Sequence, residues 1–236
     1  MLLALEIDFP PPLLLGAVDT RLRRPDSALP DYLLSRSRAG CNHRDLEAAA
    51  AQVTPRLVTR FFPFHNRSVS VAGWLARWIA AGCVPILTLN IQRAELGPGE
   101  TVADAWHHQM VWGVADREVF LANPLESVQE RVLEPQLDSP SELLVRRADV
   151  VSRVGPTTDL GELAELGQEW RRLNVLGQVV NLLREERREV REEGSRTLTS
   201  HLRIPADYRA GATLCCPEDS EVARMLREAP ELPLRA

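Results

Sequence analysis

The sequence predicts an α+β fold in which helices pack on an antiparallel sheet. Two observations support this prediction. Residues 105–125 consist of two apolar segments separated by the polar stretch Ala115-Asp116-Arg117-Glu118, which is the pattern of a β-hairpin. Segments on both sides of this hairpin carry apolar residues three or four positions apart, which is the spacing of amphipathic helices.

The composition narrows the class of protein. Of the 236 residues, 44% are hydrophobic and 26% are charged, as in ordinary globular domains. All 28 basic residues are arginines, and the net charge of −5 disfavours binding to a nucleic-acid backbone. No segment approaches about eighteen consecutive apolar residues, so we expect no membrane span and a cytoplasmic location.

The four cysteines lack the spacing of a disulfide framework or of a metal site. They are Cys41, Cys83, Cys215 and Cys216, with no Cys-x-x-Cys pair among them. Adjacent cysteines rarely direct both sulfurs to one ion. We therefore expect a reducing compartment, no metal and no cofactor, with Cys83 acting as a small buried hydrophobic residue.

The N-terminal quarter of the chain predicts two strands and two helices. Residues 2–9 alternate loosely between apolar and polar types and predict a strand, which the following prolines end. Asp31 predicts the start of a helix over residues 31–38, and the alanine-rich segment 44–52 predicts a second helix. Residues 56–64 place apolar side chains on both faces of an extended strand, which predicts a largely buried strand.

The segment that leads to the hairpin predicts a helix followed by a strand. Apolar residues at helical spacing predict a helix over residues 71–79, and Gly82 is a natural stop for it. Residues 85–89 predict a strand. Glycine and proline in residues 96–102 predict a loop before the hairpin.

The C-terminal part of the chain predicts mainly helices. Residues 126–140 suit a helix or a loop, and residues 142–154 suit a strand or a helix. A long amphipathic helix is predicted from Asp159 onward, whereas 198–214 contains a candidate strand and 220–229 a short helix. The apolar stripe of the long helix consists of Leu163, Leu166, Trp170, Leu173, Leu176, Val180 and Leu183.

Two domains are expected from this order of elements. Residues 1–154 form the first domain, and residues 155–236 form a helical C-terminal extension. The stripe Leu163–Leu183 suits core packing or helix-mediated association with a partner. The Arg/Glu run that follows it suits a solvated helix face.

Two polar residues of the hairpin are candidate functional groups. His107 begins the first strand and Asn123 ends the second, so antiparallel pairing places them close together. A histidine oriented by a side-chain amide is two thirds of a nucleophilic triad. His108 is expected on the opposite face because neighbouring residues of a strand alternate. The alternatives are a structural His107 and an Asn123 that only forms the turn before Pro124.

This pattern resembles papain-like cysteine peptidases of the bacteriocin-processing type, the double-glycine leader peptidases attached to ABC exporters, and related acyltransferases. In that family the catalytic His stands six residues before a Gly, and an Asp-Pro or Asn-Pro ends the next strand. Here His107 is six residues before Gly113, and Asn123-Pro124 ends the next strand. The preceding helix, the segment Gly82–Pro85 and the apolar strand also fit, so the resemblance covers roughly residues 39–125. It implies a papain-like fold, a peptide or protein partner, and a His107 oriented by Asn123.

The chain departs from this family at the nucleophile. The family places a catalytic Cys at a helix N-terminus, with a Gln a few residues upstream. Cys41 precedes a predicted helix, and a helix N-terminus favours the thiolate. However, residues 40–46 align better with the second helix of the family, and no Gln lies upstream of Cys41.

Two function classes follow from the resemblance to this family and from the departure at the nucleophile. The first is a peptidase-like domain that has lost its catalytic cysteine and acts as a binding or scaffold module. The second is an active cysteine peptidase or acyltransferase in which Cys41 attacks an acyl carbon, His107 moves the proton and Asn123 orients His107. A shortened form of a longer cysteine peptidase is a further alternative.

Overall fold

The computed structural model describes residues 1–7, 16–18, 20–94, 106–189 and 199–235. The chain divides into two compact units, and neither is continuous in sequence. Unit 1 comprises Met1–Thr20, Cys41–Pro140 and Tyr208–Ala236, and unit 2 comprises Arg21–Gly40 and Ser141–Asp207. The domain boundary expected after residue 154 thus falls inside unit 2. The loop predicted at 96–102 lies outside the described residues.

The strands of the described residues are β1 (Leu57–Pro63), β2 (Val84–Asn90), β3 (Trp106–Ala115), β4 (Glu118–Ala122), β5 (Glu126–Gln129), β6 (Glu142–Arg146), β7 (His201–Pro205) and β8 (Gly211–Pro217). The helices are α1 (Leu29–Arg38), α2 (His43–Val53), α3 (Val71–Ala80), α4 (Glu130–Leu137), α5 (Arg147–Val151), α6 (Glu162–Glu165), α7 (Gln168–Arg172), α8 (Val175–Glu189) and α9 (Glu221–Glu228). The protein is therefore a mixed α+β protein.

Unit 1 contains a six-stranded antiparallel sheet with the strand order β1-β8-β2-β3-β4-β5. The predicted hairpin is confirmed as β3 and β4. Asp116 and Arg117 form its turn with φ values of 46° and 66°. Positive φ at both turn residues matches the twist of the flanking strands, which explains the tight connection.

Helices cover both faces of this sheet. On the first, which we call the core face, Leu87 and Leu121 are fully buried in a cluster with Leu75 of α3, Leu133 of α4 and Leu226 of α9. Each fully buried leucine contributes about 1.5–3 kcal/mol relative to an exposed one.

The second face, which we call the α2 face, carries Leu57 and Cys215. They form a separate buried cluster with Leu2 and with Ala50 of α2. Helix α2 therefore covers this side of strands β1 and β8. Its position also determines which side of the sheet the segment before it, including Cys41, can contact.

Unit 2 is built on the antiparallel pair β6 and β7, whose inward side chains are buried. Arg147, the first residue of α5, joins this helix to α8 by ion pairs with Glu185 at 2.9 Å and Glu186 at 2.6 Å. Backbone hydrogen bonds between Arg21 and Gly40, at 3.1 and 2.7 Å, close the first segment of this unit.

Several sequence predictions need correction. The strand expected over residues 2–9 is instead a 3₁₀ turn at Leu2–Leu5, because Leu2 and Leu5 pack together in the buried cluster on the α2 face. Residues 8 and 9 lie outside the described residues.

The single long helix expected after Asp159 is three helices, α6, α7 and α8. Gly167 (φ 127°) and Asn174 (φ 50°) adopt left-handed backbone conformations between them, which a continuous right-handed helix does not allow. Within the predicted stripe, Leu163 and Trp170 are buried, and the other members are half-buried.

The C-terminal part is not purely helical, because β7 and β8 lie in it. Strand β8 is inserted between β1 and β2. The segment 126–140 contains strand β5 followed by α4, and the segment 142–154 contains strand β6 followed by α5. None of the helices in the described ranges has both the length and the apolar character needed to cross a bilayer.

Candidate functional site

The first residues of β3 divide the candidate site between the two faces of the sheet. His107 is paired with Leu89 and His108 with Thr88 on strand β2. Neighbouring side chains of a strand project to opposite faces. His107 shares its face with the buried Leu89 of the core face, and His108 shares its face with Thr88.

His107 contacts the end of the second hairpin strand, as the antiparallel pairing predicts. Its Nε2 lies 2.9 Å from the backbone oxygen of Asn123. A carbonyl oxygen only accepts hydrogen bonds, so Nε2 carries a proton, and Nδ1 of the neutral ring is an acceptor. Among the described residues, no hydrogen-bonding partner lies at Nδ1.

The contact uses the backbone of Asn123 and not the side-chain amide that the resemblance implies. Asn123 has a φ of 68°, a left-handed conformation that asparagine tolerates better than most residues. Its carbonyl thereby faces His107 and also lies 3.5 Å from Nε2 of Gln109. The buried Gln109 donates a second hydrogen bond of 2.8 Å to Glu126 at the start of β5.

Cys41 contacts the other histidine. Nε2 of His108 lies 2.8 Å from the Cys41 carbonyl, and Nδ1 lies 3.1 Å from the Thr88 hydroxyl. The carbonyl fixes the proton on Nε2, so the Thr88 hydroxyl donates to Nδ1. Burial lowers the pKa of His108, with a smaller opposing effect of the Cys41 carbonyl. His108 is therefore a neutral ring with both nitrogens bonded, which suits a structural role.

The residues after Cys41 form the N-terminus of α2. The Asn42 side chain accepts hydrogen bonds from the backbone N–H groups of Arg44 (2.9 Å) and Asp45 (3.2 Å). Asp45 in turn accepts from the Asn42 N–H at 2.7 Å, which completes a capping box. The N–H groups of Asn42, Arg44 and Asp45 are thus bonded within the helix end, so these three are not free to bind an oxyanion.

His43 is a further buried ring that the sequence pattern does not single out. It stacks on Phe61 with ring centroids 3.9 Å apart and is only 7% exposed. Burial, followed by the charges of Arg209 and Arg44, lowers its pKa from 6.5 to about 4. His43 lies in the first turn of α2, and nothing in the sequence pattern marks it as buried. Its burial follows from the packing of α2 on the sheet.

The structure thus brings His107 and Asn123 together and places Cys41 beside His108, on the α2 face. In the parts of the chain that the structure describes, no three His, Cys, Asp or Glu side chains form a group able to hold a metal ion. No family model, curated protein or solved structure matches this chain.

Proposed function

We propose that unit 1 is a papain-like module that has lost its catalytic nucleophile and binds an extended peptide or protein segment. The observation that supports this proposal is the division of the site at β3. The histidine that resembles the catalytic base lies on the core face, whereas Cys41, the nucleophile that the sequence suggests, contacts His108 on the opposite face.

Catalysis by Cys41 and His107 requires direct proton transfer between them. A general base acts within about 2.6–3.2 Å of the proton that it takes, or through one water. The ring beside Cys41 is instead that of His108, and both of its nitrogens are occupied by Cys41 O and Thr88. This arrangement fastens the segment before α2 to the sheet and leaves no free base there.

The His107 end of the hairpin has features that suit a partner segment. Nδ1 of His107 is an acceptor for a peptide N–H, and Leu125, two residues after Asn123, is 81% exposed. Strand β5 begins at Glu126 and is the outermost strand on this side of the sheet. An extended peptide can add to such an edge through main-chain hydrogen bonds, with side-chain contacts to Leu125 giving selectivity.

The loss of catalysis is tested by labelling the intact protein with iodoacetamide across a range of pH, followed by peptide mapping. We expect Cys41 to react at the same rate in the wild type and in His107→Ala at every pH. His65→Ala is the matched control, since His65 is another exposed histidine of unit 1. Fast labelling of Cys41 below pH 7 that only His107→Ala slows would overturn the proposal in favour of a Cys41 hydrolase.

The binding surface is tested with a synthetic leader-type peptide that ends in Gly-Gly, the class that the family resemblance suggests. We expect its addition to shift the NMR signals of the β5 amides and of the His107 ring. Leu125→Asp should abolish these shifts, whereas Leu22→Asp, which changes an equally exposed leucine of unit 2, should preserve them. Unchanged β5 signals at saturating peptide argue against this surface.

A further inference from the structure

Cys83 and Cys216 lie opposite each other where β2 and β8 pair. Val84 is paired with Cys215 in this antiparallel ladder, so the next opposed positions are Cys83 and Cys216. Directly opposed residues in antiparallel strands have Cα atoms about 4.5–5.5 Å apart, which falls inside the range of about 4.4–6.8 Å that a disulfide spans. Both thiols are free and belong to the same buried cluster of the core face.

The two thiols are chemically unequal. Hydrogen bonding with the Cys83 thiol lowers the pKa of Cys216 against the effect of burial, and the Ser220 hydroxyl and Arg227 lower it further against the charge of Glu218. The same hydrogen bond and burial raise the pKa of Cys83. Cys216 is therefore the better nucleophile, and Cys83 is positioned as a resolving thiol.

We propose that Cys83 and Cys216 form a modification site that a small hydroperoxide oxidises to a disulfide between β2 and β8. The Cys216 thiolate attacks the outer peroxide oxygen, breaks the O–O bond and becomes a sulfenic acid, while the peroxide leaves as an alkoxide or hydroxide. The Cys83 sulfur then attacks the Cys216 sulfur, and the sulfenic oxygen leaves as water with the Cys83 proton. The peroxide is reduced by two electrons, and the two thiols are oxidised by two.

A groove between α3 and α9 is connected to the pair through Trp78. Trp78, Ala81 and Met225 line this groove, which has a volume of about 340 Å³. The Trp78 carbonyl accepts a hydrogen bond of 2.9 Å from the Cys83 N–H. A residue that lines the groove is thus bonded directly to the backbone of Cys83. The sulfur-bearing residues are 3% and 0% exposed, so oxidation requires opening of α9 and proceeds more slowly than at a surface thiol.

Cys215 provides an internal control for this site. It is adjacent to Cys216 in sequence and is also buried, but it belongs to the cluster on the α2 face. Burial raises the pKa of Cys215 to about 12, so its thiol stays protonated. A reaction governed by burial alone would not distinguish Cys215 from Cys216, whereas the proposed site uses only Cys216.

The test exposes the full-length protein to hydrogen peroxide, blocks remaining thiols with iodoacetamide and maps the peptides without reduction. We expect the wild type and Cys215→Ser to lose two hydrogen atoms, to yield a peptide linked through Cys83 and Cys216, and to recover the original mass with dithiothreitol. Cys216→Ser should yield no linked peptide. In Cys83→Ser the Cys216 sulfenic acid should persist and be trapped by dimedone.

The proposal is overturned if the wild type stays reduced under these conditions, or if the bridge contains Cys215 or Cys41. It is also overturned if Cys83→Ser gives no dimedone adduct at Cys216. Should Cys216→Ser fail to fold, the wild-type map and the dimedone result in Cys83→Ser still decide between these outcomes.

Discussion

The carbonyl oxygen of Cys41 accepts a hydrogen bond of 2.8 Å from Nε2 of His108. This contact attaches Cys41, two residues before α2, to strand β3, and the Thr88 hydroxyl bonds the other ring nitrogen from strand β2. One half-buried ring thus links two strands of the sheet to the N-terminus of the helix that covers them. The backbone carbonyl of Cys41 thus helps to hold this segment on the sheet.

The Thr88 hydroxyl is the first part of this link that can be tested. We expect Thr88→Val to lower the free energy of unfolding by about 1–3 kcal/mol, because the shape is kept while Nδ1 of His108 loses its donor inside the protein. Urea denaturation followed by tryptophan fluorescence measures this change. Thr59→Val on β1 is the matched control and should cost less, since Thr59 is only half-buried. Equal losses in both variants would show that the Thr88 contact has no special value.

Asn123 offers a test of which atom orients His107. Because the backbone carbonyl makes the contact, and φ is 68°, Asn123→Gly keeps both the acceptor and the backbone conformation. We expect the Nε2–H form of the neutral His107 ring to persist in this variant. ¹⁵N NMR of the ring nitrogens distinguishes the two tautomers. A switch to the Nδ1–H form would instead show that the side-chain amide controls the ring.

The sequence predicts the hairpin and the proximity of His107 to Asn123, because both depend on local patterns. Alternation along a strand also predicts that His107 and His108 face opposite sides. What local patterns do not contain is the face that α2 covers, and this choice places Cys41 beside His108. The insertion of β8 between β1 and β2 is equally hidden, because it pairs residues far apart in the chain.

The broken helix in unit 2 shows a different limit. Spacing alone predicts one helix from Asp159, because a short interruption hardly disturbs a stripe of apolar residues. The left-handed conformations of Gly167 and Asn174 turn the chain between short helices. Glycine and asparagine both adopt this conformation at low cost, so these residues permit the breaks but do not require them. Packing in unit 2 decides that the chain turns there.

Glu130 is a buried carboxylate that caps a neighbouring helix. Its Oε1 accepts hydrogen bonds from the Ser70 hydroxyl (2.9 Å) and the Ala72 N–H (3.1 Å) at the N-terminus of α3. Its Oε2 lies 2.8 Å from Arg117 in the hairpin turn. Burial alone would raise its pKa, but these bonds outweigh burial and lower it. The helix end, the hairpin turn and α4 are thus held by one charge.

Glu130→Gln is expected to reduce the free energy of unfolding at neutral pH by about 1–3 kcal/mol, because an amide loses the charge-assisted bonds and the pairing with Arg117. Since the pKa of Glu130 is lowered on folding, its contribution is present above the unfolded pKa and is lost as pH falls through the folded pKa. The stabilities of variant and wild type should therefore converge in acid. Glu134→Gln, on the exposed side of α4, is the control and should show neither effect.

His43 is expected to make unit 1 sensitive to mild acid. Its ring is neutral in the folded protein with a pKa of about 4, whereas the unfolded chain titrates at the ordinary value of 6.5. The unfolded state therefore binds more protons between these values, so stability is full above about pH 6.5 and falls as pH drops toward 4. At about pH 5 the loss amounts to about 2 kcal/mol.

His43→Phe keeps a ring stacked on Phe61 and removes the titration, so its urea midpoint should fall less than that of the wild type between about pH 7.5 and pH 5. Parallel pH profiles for the two proteins would show that the pKa of His43 does not change on folding and would contradict this prediction.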